Sequence, residues 1–258
     1  MRSMRVNRSI GPGRPGKAWW IIAAVTACAS AGAFALRAEM PTQAVHWSEV
    51  SAVGFPAHAR EVLARGVGQV EVSEWTAGLT GSPETAERAA VLLGAALSDM
   101  SVDEEFRDGA AAALLARLES RVPAGSRYAI GSDIVAARAL DRRARTDVDI
   151  ARTLVELAAG DVPHPDLAVR VECGAVALGA GHSERVAPFL LAVLRAETPD
   201  QVKSPRTWER VTTLAWVKTR ASVALSEAAG TDVRYRPDGS WAHQVAEANR
   251  LAEMLGER

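Results

Sequence analysis

Apolar residues recur at every third or fourth position through most of the chain after residue 81, which is the spacing of an amphipathic α-helix. Ser82 and Pro83 stand just before the first such stripe, a helix-capping residue followed by a proline that suits the first helical position. The pattern therefore predicts a helix that begins at residue 83. Its inner face would be formed by Ala86, Ala89, Ala90, Leu93 and Leu97.

The same signals divide the rest of the chain into helices that follow one another through short turns. Acidic residues at 103–105 open the second helix, which we expect to run to Val122, where Pro123 ends it. The next predicted helices cover 132–143, 146–159, a pair within 166–196, a long helix from about 204 to 230, and a last helix after 240. The predicted fold class is all-α, with about four helical hairpins.

The part of the chain before residue 81 carries weaker signals. A short helix is predicted from Ala57 to Arg65, whereas glycines interrupt residues 66–81 and no element is predicted there. Residues 37–57 contain prolines and no sustained apolar period, so we interpret them as a linker. The helical body is then assigned to residues 58–230, and residues 231–258 form a carboxyl-terminal capping segment.

Leucines at equivalent places in successive hairpins recur at an interval typical of helical repeats. Leu93, Leu140, Leu178 and Leu225 are separated by 47, 38 and 47 residues. HEAT and armadillo units have periods of about 40 to 47 residues.

The unit from Asp166 to Ala196 resembles one HEAT-type repeat. The resemblance is carried by residues 168–179 and by the run from Val186 through Pro188 to Leu191, which is similar to the bilin-lyase-like HEAT subgroup. The resemblance to HEAT-type repeats covers about residues 83–230. It implies an α-solenoid of about four HEAT-like hairpins that binds proteins along an extended surface. The subgroup also implies, as an alternative, a lyase-like or accessory factor that holds a small ligand in the solenoid groove. The other units lack a counterpart of Pro188 and vary in length.

The amino-terminal segment predicts export. Residues 18–36 contain no charge, and as a helix they would span roughly 28 Å, close to the thickness of a bilayer core. The preceding residues 1–17 are basic, so they would stay cytoplasmic and the body would lie on the far side of the membrane. The segment fits a transmembrane signal anchor, a cleaved secretory signal with small residues at 29–35, or a lipoprotein signal with lipidation at Cys28.

The distribution of charge excludes one class of partner. Residues 1–37 carry six basic side chains and no acid, which leaves 24 basic against 31 acidic residues in the rest of the chain. An acidic body repels phosphate, so nucleic acid is not an expected partner.

No catalytic, cofactor-binding or metal-binding residue is predicted. The five histidines show no pair at the helical spacing of metal ligands, and phosphate-loop and nucleophile-elbow motifs are absent. Cys173 lies among apolar residues and is expected to be a buried lone thiol. The arginines at 138, 142, 143 and 145 could receive an acidic partner. Because Asp141, Asp147 and Asp149 surround them, the favoured interpretation is a solvated helix face whose charges pair with one another.

Tryptophans are concentrated near the carboxyl end, at Trp208, Trp216 and Trp241. If they are exposed they would form an interaction surface, and if they are buried they fill the terminal cap. The sequence thus predicts a membrane-anchored, extracytoplasmic protein-binding or scaffolding module without catalytic activity or cofactor. A structural subunit of a membrane complex is a third possibility.

Overall fold

The computed structural model describes residues 46–49, 55–121, 131–197, 208–232 and 235–256 of the chain. Within these ranges the protein is all-helical and has no strand, which confirms the predicted fold class. The transmembrane or signal helix expected at 18–36, with Cys28, lies outside the described residues. In the described ranges, no helix is both long and apolar enough to cross a membrane.

The elements follow one another through short connections. After a 3-10 turn at Trp47–Glu49, the helices are α1 (Phe55–Arg65), α2 (Gln69–Gly78), α3 (Pro83–Ser98), α4 (Glu104–Glu119), α5 (Ser132–Ala139), α6 (Asp141–Ala144), α7 (Val148–Ala159), α8 (Leu167–Gly179), α9 (Ser183–Arg195), α10 (Trp208–Ala228) and α11 (Trp241–Leu255).

The helices pack in two rows that follow chain order. In the first row, α1, α3, α5, α8 and α10 each contact the next, and in the second row α2, α4, α7, α9 and α11 do the same. Helices adjacent in the chain, such as α3 with α4 and α9 with α10, join the two rows. The short helix α6 lies against α7 and α8.

Side-chain caps fix several of the helix starts at the places that the sequence predicts. The Ser82 hydroxyl accepts a hydrogen bond from the Thr85 backbone N–H at 3.3 Å, ahead of α3. Asp147 accepts from two backbone N–H groups at the start of α7, and Asp166 accepts from Ala168 N at 2.7 Å at the start of α8. The Ser240 hydroxyl does the same for α11. Each cap satisfies a backbone N–H that has no partner within its own helix.

The region before residue 81 is more ordered than the sequence predicts. Trp47 and Phe55, placed by the prediction in a linker, are only 8% and 7% exposed and belong to the core. Residues 66–81, for which no element is predicted, contain α2, and the side chain of its Trp75 is 1% exposed. The folded body therefore begins earlier than residue 58.

Helix α4 ends earlier than predicted. Its last residue is Glu119 rather than Val122, and Arg121 has a φ of 52°, a left-handed conformation that cannot continue a helix. Pro123, the expected stop, lies outside the described residues.

One continuous apolar core runs from Trp47 to Ala252 and joins both rows. Helix α8 lies at its centre, and each residue from Val171 to Leu178 is buried. Close approach of helices depends on small residues: a Cβ at Gly94 of α3 would come within 2.7 Å of the Ala139 Cβ of α5. Helices α3 and α5 therefore approach each other closely at this point, with no room for a larger side chain at Gly94.

Candidate interaction surface

A buried glutamate joins three consecutive helices of the first row. Glu172 of α8 is fully buried, and its Oε2 accepts a hydrogen bond from Nη2 of Arg138 on α5 at 3.0 Å. Its Oε1 accepts from Nε of Arg220 on α10 at 2.9 Å. Each carboxylate oxygen thus has its own guanidinium partner, as a buried charge requires.

The two arginines reach the surface although their common partner does not. The side chains of Arg138 and Arg220 are 28% and 25% exposed, whereas that of Glu172 is 0% exposed. Two positive groups share one negative group, so these three side chains together carry one net positive charge. Within the described ranges, neither guanidinium pairs with a second carboxylate.

Trp216 completes this cluster. It stands one helical turn before Arg220 on α10, and the centroid of its ring is 5.6 Å from the guanidinium carbon of Arg138. At that distance a guanidinium is attracted by the aromatic face. The Trp216 side chain is partly buried against the core. We call Arg138, Glu172, Trp216 and Arg220 the arginine–tryptophan patch.

The three tryptophans predicted as an interaction surface are not brought together as a group. Trp241, at the start of α11, is 52% exposed, and its indole N–H faces the Arg195 carbonyl at 3.4 Å. Trp216 lies in the patch and makes no ring contact with Trp241 in the described part of the chain. The side chain of Trp208 is outside the described residues.

Two of the three other arginines in the 138–145 run, Arg143 and Arg145, are paired with acids. Arg143 forms ion pairs with Glu104, at 2.7 Å, and with Asp108, both on α4. Arg145 pairs with Asp141 one turn earlier, at 3.2 Å. Arg138 differs from these neighbours because its partner is buried.

A second polar cluster lies inside the fold where α4, α5 and the segment before α8 meet. Asp133 is fully buried and accepts hydrogen bonds through Oδ1 from Arg117 Nε at 2.7 Å and from the Ser132 hydroxyl at 3.0 Å. Its Oδ2 lies 3.7 Å from Nε2 of His164, and in the described structure neither atom has a hydrogen-bond partner.

Burial lowers the pKa of His164, while the carboxylate of Asp133 acts in the opposite direction. The Nδ1 of His164 accepts the backbone N–H of Asp166 at 3.1 Å, which leaves the proton of the neutral ring on Nε2, facing Asp133. The neutral ring therefore lies beside the buried Asp133 carboxylate without a hydrogen bond to it.

The carboxyl-terminal helix is held by a third buried network. Lys218 of α10 donates to Oε1 of Gln244 at 2.8 Å and to the Ala196 carbonyl. The Tyr235 hydroxyl donates to the same Gln244 oxygen at 3.1 Å and faces the Leu194 carbonyl at 3.2 Å. Burial lowers the pKa of Lys218 and raises the pKa of Tyr235 to about 12.

Cys173 is buried as predicted. Its side chain is 0% exposed, and desolvation together with the neighbouring Glu172 raises its pKa well above the usual range of a thiol. In the described part of the chain, three or more potential ligands do not gather anywhere in a way that could hold a metal ion.

A shallow groove of about 330 Å³ separates α2 and α4 in the second row. Val72 and Thr76 of α2 line one side, and Phe106 and Gly109 of α4 line the other. The Thr76 hydroxyl is bound to the Val72 carbonyl at 2.7 Å, so it does not point a free donor into the groove. Gln69, Ser73 and Glu105 supply the other polar side chains along the walls of the groove.

Glu172 is the residue that sequence reasoning missed. It is the single charged residue in a stretch that is otherwise apolar from residue 171 to residue 178. An acid at a buried position needs a positively charged or hydrogen-bonding partner, so the sequence could have predicted that an arginine pairs with Glu172. The choice of Arg138 and Arg220 as partners required the packing of three helices.

The chain was compared with models of protein families, with curated proteins and with solved structures, and no match was found in any of them.

Proposed function

We propose that this chain is a membrane-anchored, extracytoplasmic protein-binding or scaffolding module, built as a HEAT-like α-solenoid and acting without catalysis. The observation that carries the proposal is the packing of the helices in two rows in chain order. Stacking of this kind produces a long continuous surface, which repeat proteins use to bind other proteins. The anchor proposed at residues 18–36 rests on the sequence.

The use of the buried polar side chains agrees with this role. Glu172, Asp133 and Lys218 each form hydrogen bonds with a side chain of another helix. Such interactions make the body rigid, and a rigid surface loses little conformational entropy when a partner binds.

The proposal is tested by site-specific photo-cross-linking of the full chain in its own membrane. A benzophenone amino acid replaces Trp241, which is 52% exposed. In a separate variant it replaces Val148 on α7, which is 61% exposed and serves as the comparison site on another helix. A scaffold gives discrete adducts with the same partner proteins in repeated experiments, and the two sites give different patterns of adducts.

A second measurement distinguishes the scaffold from the alternative function, a lyase-like or accessory factor that holds a small ligand. An accessory factor of the lyase-like type would carry a small ligand, so the purified chain would show the visible absorption of a bound tetrapyrrole. Such a band, together with no protein adduct from either position, would overturn the scaffold proposal.

A further inference from the structure

The arginine–tryptophan patch has the chemistry of a site for carboxylates, and we infer that it binds an acidic segment of a partner protein. The inference rests on the proposed protein-binding function and names the recognition chemistry of one part of the surface. The occupant would present an Asp or Glu side chain, or a terminal carboxylate, to Arg138 and Arg220.

The first argument is the number of donors that the patch leaves available. Arg138 uses Nη2 and Arg220 uses Nε for Glu172, and each guanidinium has further N–H groups. Because these side chains are 28% and 25% exposed, their remaining donors can meet a ligand. A guanidinium binds a carboxylate through parallel N–H groups with good geometry.

The second argument is that the patch is already organised before a ligand binds. The buried Glu172 fixes both arginines from below, and the Trp216 ring lies against Arg138. An arginine that is held in place has little side-chain entropy left to lose on binding. Ordinary surface arginines, such as Arg152 with 67% exposure, lack this support.

The third argument is electrostatic and selects the kind of partner. After residue 37 the chain carries 24 basic and 31 acidic residues, so the body as a whole repels large anionic surfaces. A local positive site on an acidic body suits a short acidic segment, whose charge acts over about 8 Å at physiological salt. Trp and Arg are also the residue types that dominate binding energy at protein interfaces.

The test measures binding of a fluorescent oligoglutamate peptide to the full chain in neutral detergent, by fluorescence anisotropy. An oligoglutamine peptide is the probe control. We expect Arg220→Gln to weaken oligoglutamate binding by about tenfold or more, since a hydrogen bond to a charged group contributes about 1.5 to 3 kcal/mol. Arg152→Gln is the matched variant outside the patch, and we expect it to change affinity less than about twofold, as exposed pairs contribute little.

Wild-type protein supplies a measurement that does not depend on whether the variants fold. An oligoglutamate peptide with a benzophenone group is photo-cross-linked, and the adducts are mapped by mass spectrometry. Adducts on α5 and α10 near Arg138 and Trp216 support the inference, and adducts confined to other helices refute it. Preferential binding of vesicles rich in anionic lipid, competed by oligoglutamate only weakly, would also refute it.

The outcomes separate this inference from the proposed function. If the wild-type chain does not bind oligoglutamate, and Arg220→Gln does not change the partner adducts formed from position 241, the carboxylate site is refuted. The scaffold proposal is then unaffected. If no partner adduct forms while oligoglutamate binds at the patch, the scaffold fails and the carboxylate site stands.

Discussion

Replacing Gln244 by Leu should destabilise the protein by about 3.5 to 5 kcal/mol, because one buried amide connects α11 to α10 and to the segment that precedes α11. Gln244 is 2% exposed, and its Oε1 accepts hydrogen bonds from Lys218 and Tyr235. Its Nε2 donates to the carbonyls of Pro237 and Gly239, both at 2.9 Å. Leucine keeps the side-chain volume and makes none of these four bonds.

The magnitude follows from the kind of each bond. The bond from the charged Lys218 contributes about 1.5 to 3 kcal/mol, and the bond from Tyr235 contributes about 1 kcal/mol. The two carbonyls of the turn are only part-buried, so water can replace Gln244 there and each loses about 0.5 kcal/mol. Domains of this kind are stable by only about 5 to 15 kcal/mol, so the variant would be close to unfolding.

The assay is urea-induced unfolding of the full chain, followed by far-ultraviolet circular dichroism. Gln69→Leu is the control, since Gln69 is exposed at the start of α2 and its replacement should change stability by no more than about 0.5 kcal/mol. A double-mutant cycle with Lys218→Met isolates the bond between Lys218 and Gln244. A loss below about 1 kcal/mol for Gln244→Leu, or a coupling near zero in the cycle, would refute the reasoning.

Two further predictions concern the core and pH. Gly94→Ala should destabilise the protein by about 1 to 3 kcal/mol, because the new Cβ would lie within 2.7 Å of the Ala139 Cβ. Gly109→Ala should stabilise α4 by about 0.5 to 1 kcal/mol, because its new Cβ would meet only Val72 Cγ1, at an ordinary contact distance of 3.7 Å. Burial lowers the pKa of His164 below its ordinary 6.5, so the ring binds a proton more readily in the unfolded chain than in the folded protein. The contribution of the neutral ring to the free energy of unfolding is therefore fully present above pH 6.5 and is lost as the pH falls below that value. The same urea titrations, repeated from pH 7.5 to about pH 5, measure both effects.

Each of these predictions has an outcome that contradicts it. Equal stability of the Gly94→Ala and Gly109→Ala variants would mean that α3 and α5 are not in close contact. His164→Gln removes the titrating ring, so its stability should depend less steeply on pH than that of the wild type. An unchanged slope would show that other groups produce the acid sensitivity.

Local signals in the sequence were sufficient to place most of the helices. Ser82 acts as the cap expected of it, and Asp147, Asp166 and Ser240 cap helices close to the starts predicted for them, since capping depends on residues within a few positions of one another. The apolar spacing between caps gave the buried faces for the same reason.

Helix α2 was missed because glycines conceal it. Gly66 has a φ of 99° and Gly68 occupies the position before the helix, so both lie outside it and mark its beginning. Gly78 is its last residue, where a Cβ would collide with the ring of Trp47. Whether a glycine interrupts a helix or borders one depends on a contact with a residue that is distant in the chain.

The candidate site was only partly predictable. Trp216 was identified as an interaction residue from its position near the carboxyl end, but its neighbours Arg138 and Arg220 come from helices far apart in sequence. Single-sequence patterns carry no information on which helices lie side by side, so the pairing through Glu172 could emerge only from the packed structure.

The enclosure of α8 determines where the protein tolerates alteration. Each residue from Val171 to Leu178 is covered, and helices before and after it in the chain supply that cover. A break in the polypeptide near Gly160 would separate α8 from the helices that precede it in the chain. The amino-terminal fragment would lose its contacts with α8, and apolar side chains of α8 would become exposed in the carboxyl-terminal fragment. Reporter domains and affinity handles therefore belong at the two ends of the rows, and the middle of the chain has to be kept whole.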